Sequence, residues 1–152
     1  MQTWRLIHST VLLFCVLHLH VFAQVPKYED NVIHVAVTGL HNDKGQVLCA
    51  LFASAEGFPK DPDKATARAR STISSGQAAC EFSNVTPGTY AVAVFHDENS
   101  NGKLDTKLLG VPREGVGASN NAKGHFGPPK FAVAAFQYKG GRQDLKIKIN
   151  YL

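Results

Sequence analysis

The sequence predicts an all-β fold: one antiparallel β-sandwich of about seven strands carrying one long polar loop. Apolar residues alternate with period two in several separate runs, Gly- and Pro-bearing turns punctuate them, and no stretch sustains a long helical period. The 152 residues suffice for one domain with a real core, and they show no internal repeat or low-complexity tract.

At the N-terminus, Arg5 precedes a mostly apolar stretch from Leu6 to Ala23, with small residues Val21 and Ala23 before Gln24. A charged start, an apolar run and small residues at a cut describe a secretory signal peptide over 1–23. The rival is an uncleaved membrane anchor, against which His8, His18 and His20 interrupt the run. Phe14 before Cys15 is too bulky for a lipoprotein cleavage site. Residues 24–30 then form a short linker and 31–152 the sandwich domain. The mature chain is expected to be exported, periplasmic or secreted, and to have no transmembrane segment.

The formal charge is +4, and cleavage would remove Arg5 and no acid, leaving +3. Scattered basic residues with so small an excess point away from nucleic acid. They are compatible with mild affinity for acidic polymers or membrane surfaces. Cleavage would also leave two cysteines, Cys49 and Cys80, which in an exported domain read as a disulfide candidate. A loop of that length would contribute roughly 3–4 kcal/mol in the chain-entropy model. The alternative is two separately buried thiols.

Ile33, Val35 and Val37 alternate with Val32, His34 and Ala36, giving a first strand. The polar run from His41 to Gly45 reads as a hairpin connection, and Val47, Cys49 and Leu51 as its partner strand. His34 and His41 read as surface or rim residues. After a breaker-rich loop at Gly57 to Asp63, Lys64 to Ser71 places Arg68 and Arg70 on one face if extended. A short helix from Pro62 to Ala69 is the alternative, its Ala content in favour. Gln77 to Val85 is strand-like, Pro87-Gly88 sets a tight turn, and Thr89 to Phe95 is the strongest strand. Lys130 to Tyr138 and Asp144 to Tyr151 resume strand character around the Gly140-Gly141 turn.

The stretch "EFSNVTPGTYAVAV" resembles the Phe-x-x-[Leu/Val]-x-Pro-Gly-x-Tyr hairpin of prealbumin-like sandwiches and carboxypeptidase regulatory domains. That resemblance implies a prealbumin-like or immunoglobulin-like sandwich and says almost nothing about function.

From His96 to Asp105, five Asp, Glu and Asn side chains fall within ten residues. Against a calcium loop, Asp97, Asn99 and Asn101 take positions one, three and five, Gly102 the turning position, and Asp105 position nine. Calcium takes about six to eight oxygens at flexible angles, which short side chains on alternate residues supply. The twelfth position is Leu108 where a bidentate Glu is expected, so Glu114, backbone carbonyls or water would complete the shell. An ion-free Asp/Asn/Gly turn is the plainer reading. Zinc or copper through His96 and His125 has no ligand spacing behind it.

The stretch "FHDENSNGKLDTKLLGVPREGVGASNNAKGHFGPPKF" resembles a family of small exported bacterial proteins classed as a domain of unknown function. Its pattern is His-Asp-Glu-Asn-x-Asn-Gly-x-x-Asp, Gly-x-Pro-x-Glu-Gly, Ser-Asn-Asn and Gly-x-Pro, all present from His96 to Pro128. The resemblance implies membership and brings no activity with it.

No Gly-x-Ser-x-Gly elbow, His-Glu-x-x-His pair or phosphate-binding Gly loop is present. The leading expectation is therefore a non-enzymatic exported module whose loop is ordered by calcium through Asp97, Asn99, Asn101 and Asp105. His96, Glu98, Arg113, Glu114, Ser119, Asn120 and Asn121 would present a polar surface to a glycan or protein. The alternatives are a hydrolase or lyase using His96 with nearby carboxylates, and an envelope accessory protein with a purely structural loop.

Overall fold

The computed structural model describes residues 31–152, so the expected leader (1–23) and linker (24–30) lie outside the described residues. Eight strands follow in order: β1 Val32–Thr38, β2 Gln46–Phe52, β3 Ala67–Ser71, β4 Gln77–Phe82, β5 Gly88–Asp97, β6 Val116–Ala118, β7 Phe136–Tyr138 and β8 Arg142–Lys148. A single helical turn, α1 (Phe131–Ala134), precedes β7. Among the described residues no helix is long and apolar enough to cross a membrane.

Two sheets face each other, one in the order β4-β1-β8 and the other β3-β2-β5-β6, with β7 beside the start of β5. The alternation read from sequence becomes the core: Ile33, Val35, Val37, Val47, Cys49, Leu51, Val92, Val94 and Ile147 are buried in one cluster between the sheets. Burying such side chains contributes about 1.5–3 kcal/mol each, which is why the phase of each strand is fixed. Cys49 on β2 and Cys80 on β4 form a disulfide across the two sheets, with Cα atoms 6.5 Å apart.

The turns differ from the expectation in one systematic way. The polar run before Gly45 does not close a hairpin; β1 pairs with β4 and β8, while β2 pairs with β3 and β5. It arches from one sheet to the other, and so does Pro87-Gly88 between β4 and β5. Local sequence specifies a chain reversal but not which sheet receives the next strand. A second difference is that β1 and β8 run parallel, Val35 opposite Leu145, so the smaller sheet is mixed. Pro62–Lys64 forms a 3-10 turn and Ala67–Ser71 a strand, so each half of that ambiguous segment follows one of its two readings. Lys130 to Tyr138 is a helical turn followed by a short strand; α1 lies over the outer face of the larger sheet, where Ala91, Ala118 and Ala134 form a small apolar cluster.

Among the described residues, only β2–β3 and β5–β6 are consecutive strands that pair with each other. The β5–β6 connection is the polar loop, and its ends are fixed by the register of two paired strands.

Candidate functional site

The strand β5 carries its alternation through to Asp97, so His96 and Asp97 leave opposite faces of the sheet. His96 lies opposite Val47 and Asp97 opposite Gln46 on β2. Both are fully buried, which demands that every polar atom find a partner.

The Asp97 carboxylate meets that demand with three donors. Its Oδ1 accepts from Asn101 N–H at 3.0 Å, and its Oδ2 from Gly102 N–H and the Gln46 amide, each at 2.9 Å. The loop thus folds back over the strand end that begins it. Glu114, 5% exposed, closes the other side. Its Oε1 accepts from Glu98 N–H and its Oε2 from Asp105 N–H, both at 2.9 Å, so one carboxylate clasps the loop at two points. Between them, Asn99 donates its amide to Asp105 at 2.7 Å and Asn101 donates to the same carboxylate at 3.3 Å. Asn99 and Asn101 also use their Oδ1 atoms to accept from the N–H groups of Asn101 and Lys103. Asn42 donates to Glu98 at 3.2 Å from the arch between β1 and β2. Gly45 in that arch has φ +68°, and a Cβ there would collide with the Asp97 carbonyl oxygen.

His96 faces the interior. Its Nε2 lies 2.7 Å from the Lys44 carbonyl, and its Nδ1 lies 2.6 Å from the Tyr151 hydroxyl. A carbonyl only accepts, so Nε2 carries the hydrogen and donates to it. In the neutral ring Nδ1 then accepts from Tyr151, whose oxygen accepts in turn from His41 N–H at 3.1 Å. The His41 ring stacks on Tyr151 at 3.5 Å between centroids. Gly115 leaves room for this, since a Cβ on it would lie 2.6 Å from the Tyr151 ring. Burial pushes the Tyr151 phenol above its ordinary range and the Glu98 carboxylate adds to that, while the His41 N–H opposes it.

This geometry brings together Asp97, Glu98, Asn99, Asn101, Asp105 and Glu114, with exposed Arg113 beside them. Other residues expected at the site are engaged within the fold. His96 has no exposed atom and both ring nitrogens are engaged, so it offers a ligand nothing and has no free nitrogen to take a proton from a substrate. Glu114 accepts one backbone N–H on each oxygen and so positions the loop from its buried side. Ser119 is fully buried, donating to the Ala134 carbonyl at 2.6 Å and accepting from Val92 N–H at 2.9 Å. Asn120 donates to the Val133 and Ala135 carbonyls, and Asn121 accepts from Lys148 N–H. These last three residues brace α1 and β8 against β6, apart from the acidic loop. Zinc or copper between His96 and His125 fails because His96 is buried and fully bonded while His125 is exposed. Among the described residues no three His, Cys, Asp or Glu side chains are grouped to hold a metal, so amide oxygens would have to contribute to any ion site in the loop.

The contributors that sequence reading missed are Gln46, Asn42, Lys44, His41 and Tyr151. The only signal for Gln46 is its place after Gly45 at the start of β2, which puts it in register with the strand end at Asp97.

A family model described as an uncharacterized protein conserved in bacteria (DUF2141) matches residues 35–146. No curated protein and no solved structure matches the chain.

Proposed function

The chain belongs to that family of uncharacterized conserved bacterial proteins, and from the geometry of its loop we propose an exported, non-enzymatic module that binds calcium and presents a polar surface. One observation carries the reading. The side chains of Asp97, Asn99, Asn101 and Asp105 are linked to one another or to a shared N–H within 3.4 Å. Among the described residues, no ion pair neutralises either aspartate, Glu98 or Glu114. Neighbouring carboxylates without an ion-pair partner favour a cation, and carboxylate together with amide oxygens are the ligands calcium takes. Each amide oxygen uses one lone pair on an N–H and keeps the other, as does Asp97 Oδ1. The ion adds to a loop already held by hydrogen bonds, so its affinity falls in the weak range of extracellular modules, about 0.1–1 mM.

The exposed Asn99, Ser100, Asn101 and Lys103 then form the face offered to a glycan or protein. Export is supported by the inter-sheet disulfide, which persists in oxidising compartments. The hydrolase or lyase alternative loses its base, because His96 has both nitrogens bonded.

The test is thermal melting of chelator-treated protein titrated with calcium. About 10 mM calcium should raise Tm by several degrees, because a ligand that binds only the native state stabilises it by mass action. Asp105→Ala should abolish the shift. An unmoved Tm in the wild type overturns the calcium reading.

A further inference from the structure

The loop carries a second feature that the calcium reading does not use. Between Asp105 and Glu114 the chain makes a short finger. Thr106 pairs with Pro112 in an isolated bridge, Lys107 N–H donates to the Val111 carbonyl at 2.6 Å, and Arg113 N–H donates to the Asp105 carbonyl at 2.9 Å. At its apex stand Leu108 and Leu109, 88% and 93% exposed, with Val111 at 40% just below. Leu109 has φ +68°, in the left-handed region where Gly and Asn are at home. A turn built only to reverse the chain would place a small polar residue there. Instead, two adjacent leucines project into solvent from a finger whose base is clasped by the buried Glu114.

The charges around the apex are sorted by depth. Lys103, Lys107 and Arg113 are exposed. Asp97 and Glu114 are buried, and the half-buried Glu98 and Asp105 are turned onto the amides of Asn42, Asn99 and Asn101. The outward-facing collar is therefore cationic and its point is apolar. Lys107 Nζ also donates to the Leu152 carbonyl at 2.9 Å, which tethers the finger to the C-terminal segment.

We propose that this finger docks the protein on an anionic lipid bilayer, Leu108 and Leu109 entering the interfacial zone while Lys103, Lys107 and Arg113 meet headgroup phosphates. A convex apolar point with a basic collar suits a surface that yields to it, and each basic residue near an anionic membrane strengthens attachment about five-fold. The docking does not require calcium and stands or falls separately from the ion reading.

The test is flotation of the full chain, purified as its host processes it, with vesicles of phosphatidylcholine alone or mixed equally with phosphatidylglycerol, in chelator. Wild-type protein should float with the anionic vesicles and not the neutral ones. The double substitution Leu108→Asp with Leu109→Asp should weaken binding at least about ten-fold with an unchanged Tm, since both side chains are solvent-exposed. Lys107→Gln with Arg113→Gln should weaken it about 25-fold, two cations at five-fold each. Equal flotation of wild type and the aspartate variant overturns the proposal by placing lipid affinity elsewhere in the chain. Absence of wild-type flotation at millimolar anionic lipid overturns it outright, and a soluble protein partner for the leucines would give that result.

Discussion

Two polar clusters flank β6, and both were expected to belong to one site from His96 to Pro128. In the first, Asp97 and Glu114 collect five N–H donors between them and hold a loop that otherwise faces solvent. In the second, Ser119, Asn120 and Asn121 supply bonds where β6 ends and its backbone leaves the sheet, reaching Val92, Val133, Ala134, Ala135 and Lys148. The chemistry is similar and the consequence differs. The acidic cluster retains negative charge and unused lone pairs beside exposed amides. The Ser-Asn-Asn cluster retains a sealed hydroxyl and two residues held at φ +58° and +49°. A polar motif facing inward braces the fold, whereas one with its charge left uncompensated can receive an ion.

The strongest way to break this contrast is Asp97→Ala. Removing a fully buried carboxylate strands the Gln46 amide and two backbone N–H groups, and the loss should be about 3–5 kcal/mol. Chemical denaturation should show it as a lower midpoint at unchanged slope, and the calcium shift should vanish. A loss below about 1 kcal/mol would mean that Glu114 alone fixes the loop, and the two carboxylates would not be acting together.

Ser119→Ala tests the other side. It removes the acceptor for Val92 N–H and the donor to Ala134 in a sealed position, and should cost about 1–3 kcal/mol. Its calcium response should equal that of wild type. If calcium no longer stabilises this variant, the two clusters are one cooperative unit and the division between them fails.

How far the sequence carried this picture depends on the range of each interaction. Period-two runs such as Ile33-Val35-Val37 and Val47-Cys49-Leu51 placed strands and core correctly, because alternation is local and burial fixes its phase. The clustering of Asp97, Asn99, Asn101 and Asp105 was legible for the same reason, since their bonds span six residues or fewer. What was not legible is long-range. The arches at Gly45 and Pro87-Gly88, the parallel pairing of β1 with β8, and the arrival of Gln46 and Tyr151, 51 and 55 residues away from their partners, leave no trace in local pattern. The burial of Ser119 against β5 and α1 was likewise not legible, because a loop composition says nothing about which hydroxyl lies against a strand.

The smallest effect tests the chain of bonds that ties His96 to the C-terminal segment. Tyr151→Phe leaves the ring packed on His41 but deprives His96 Nδ1 of its donor, and should cost about 1 kcal/mol at pH 8. The pH dependence makes the test specific. In the folded protein the Tyr151 phenol is raised above 10.0 by burial, with the Glu98 carboxylate adding to the shift. Above pH 10 the unfolded chain therefore releases its proton first, and wild-type stability from this group, complete below that point, falls as pH climbs toward the folded value. Urea midpoints for both proteins between pH 8 and 11 should converge at the alkaline end, because the phenylalanine variant lacks this loss. A constant gap across that range would show that Tyr151 ionises as freely folded as unfolded, and burial would then not be what sets its phenol apart in the folded chain.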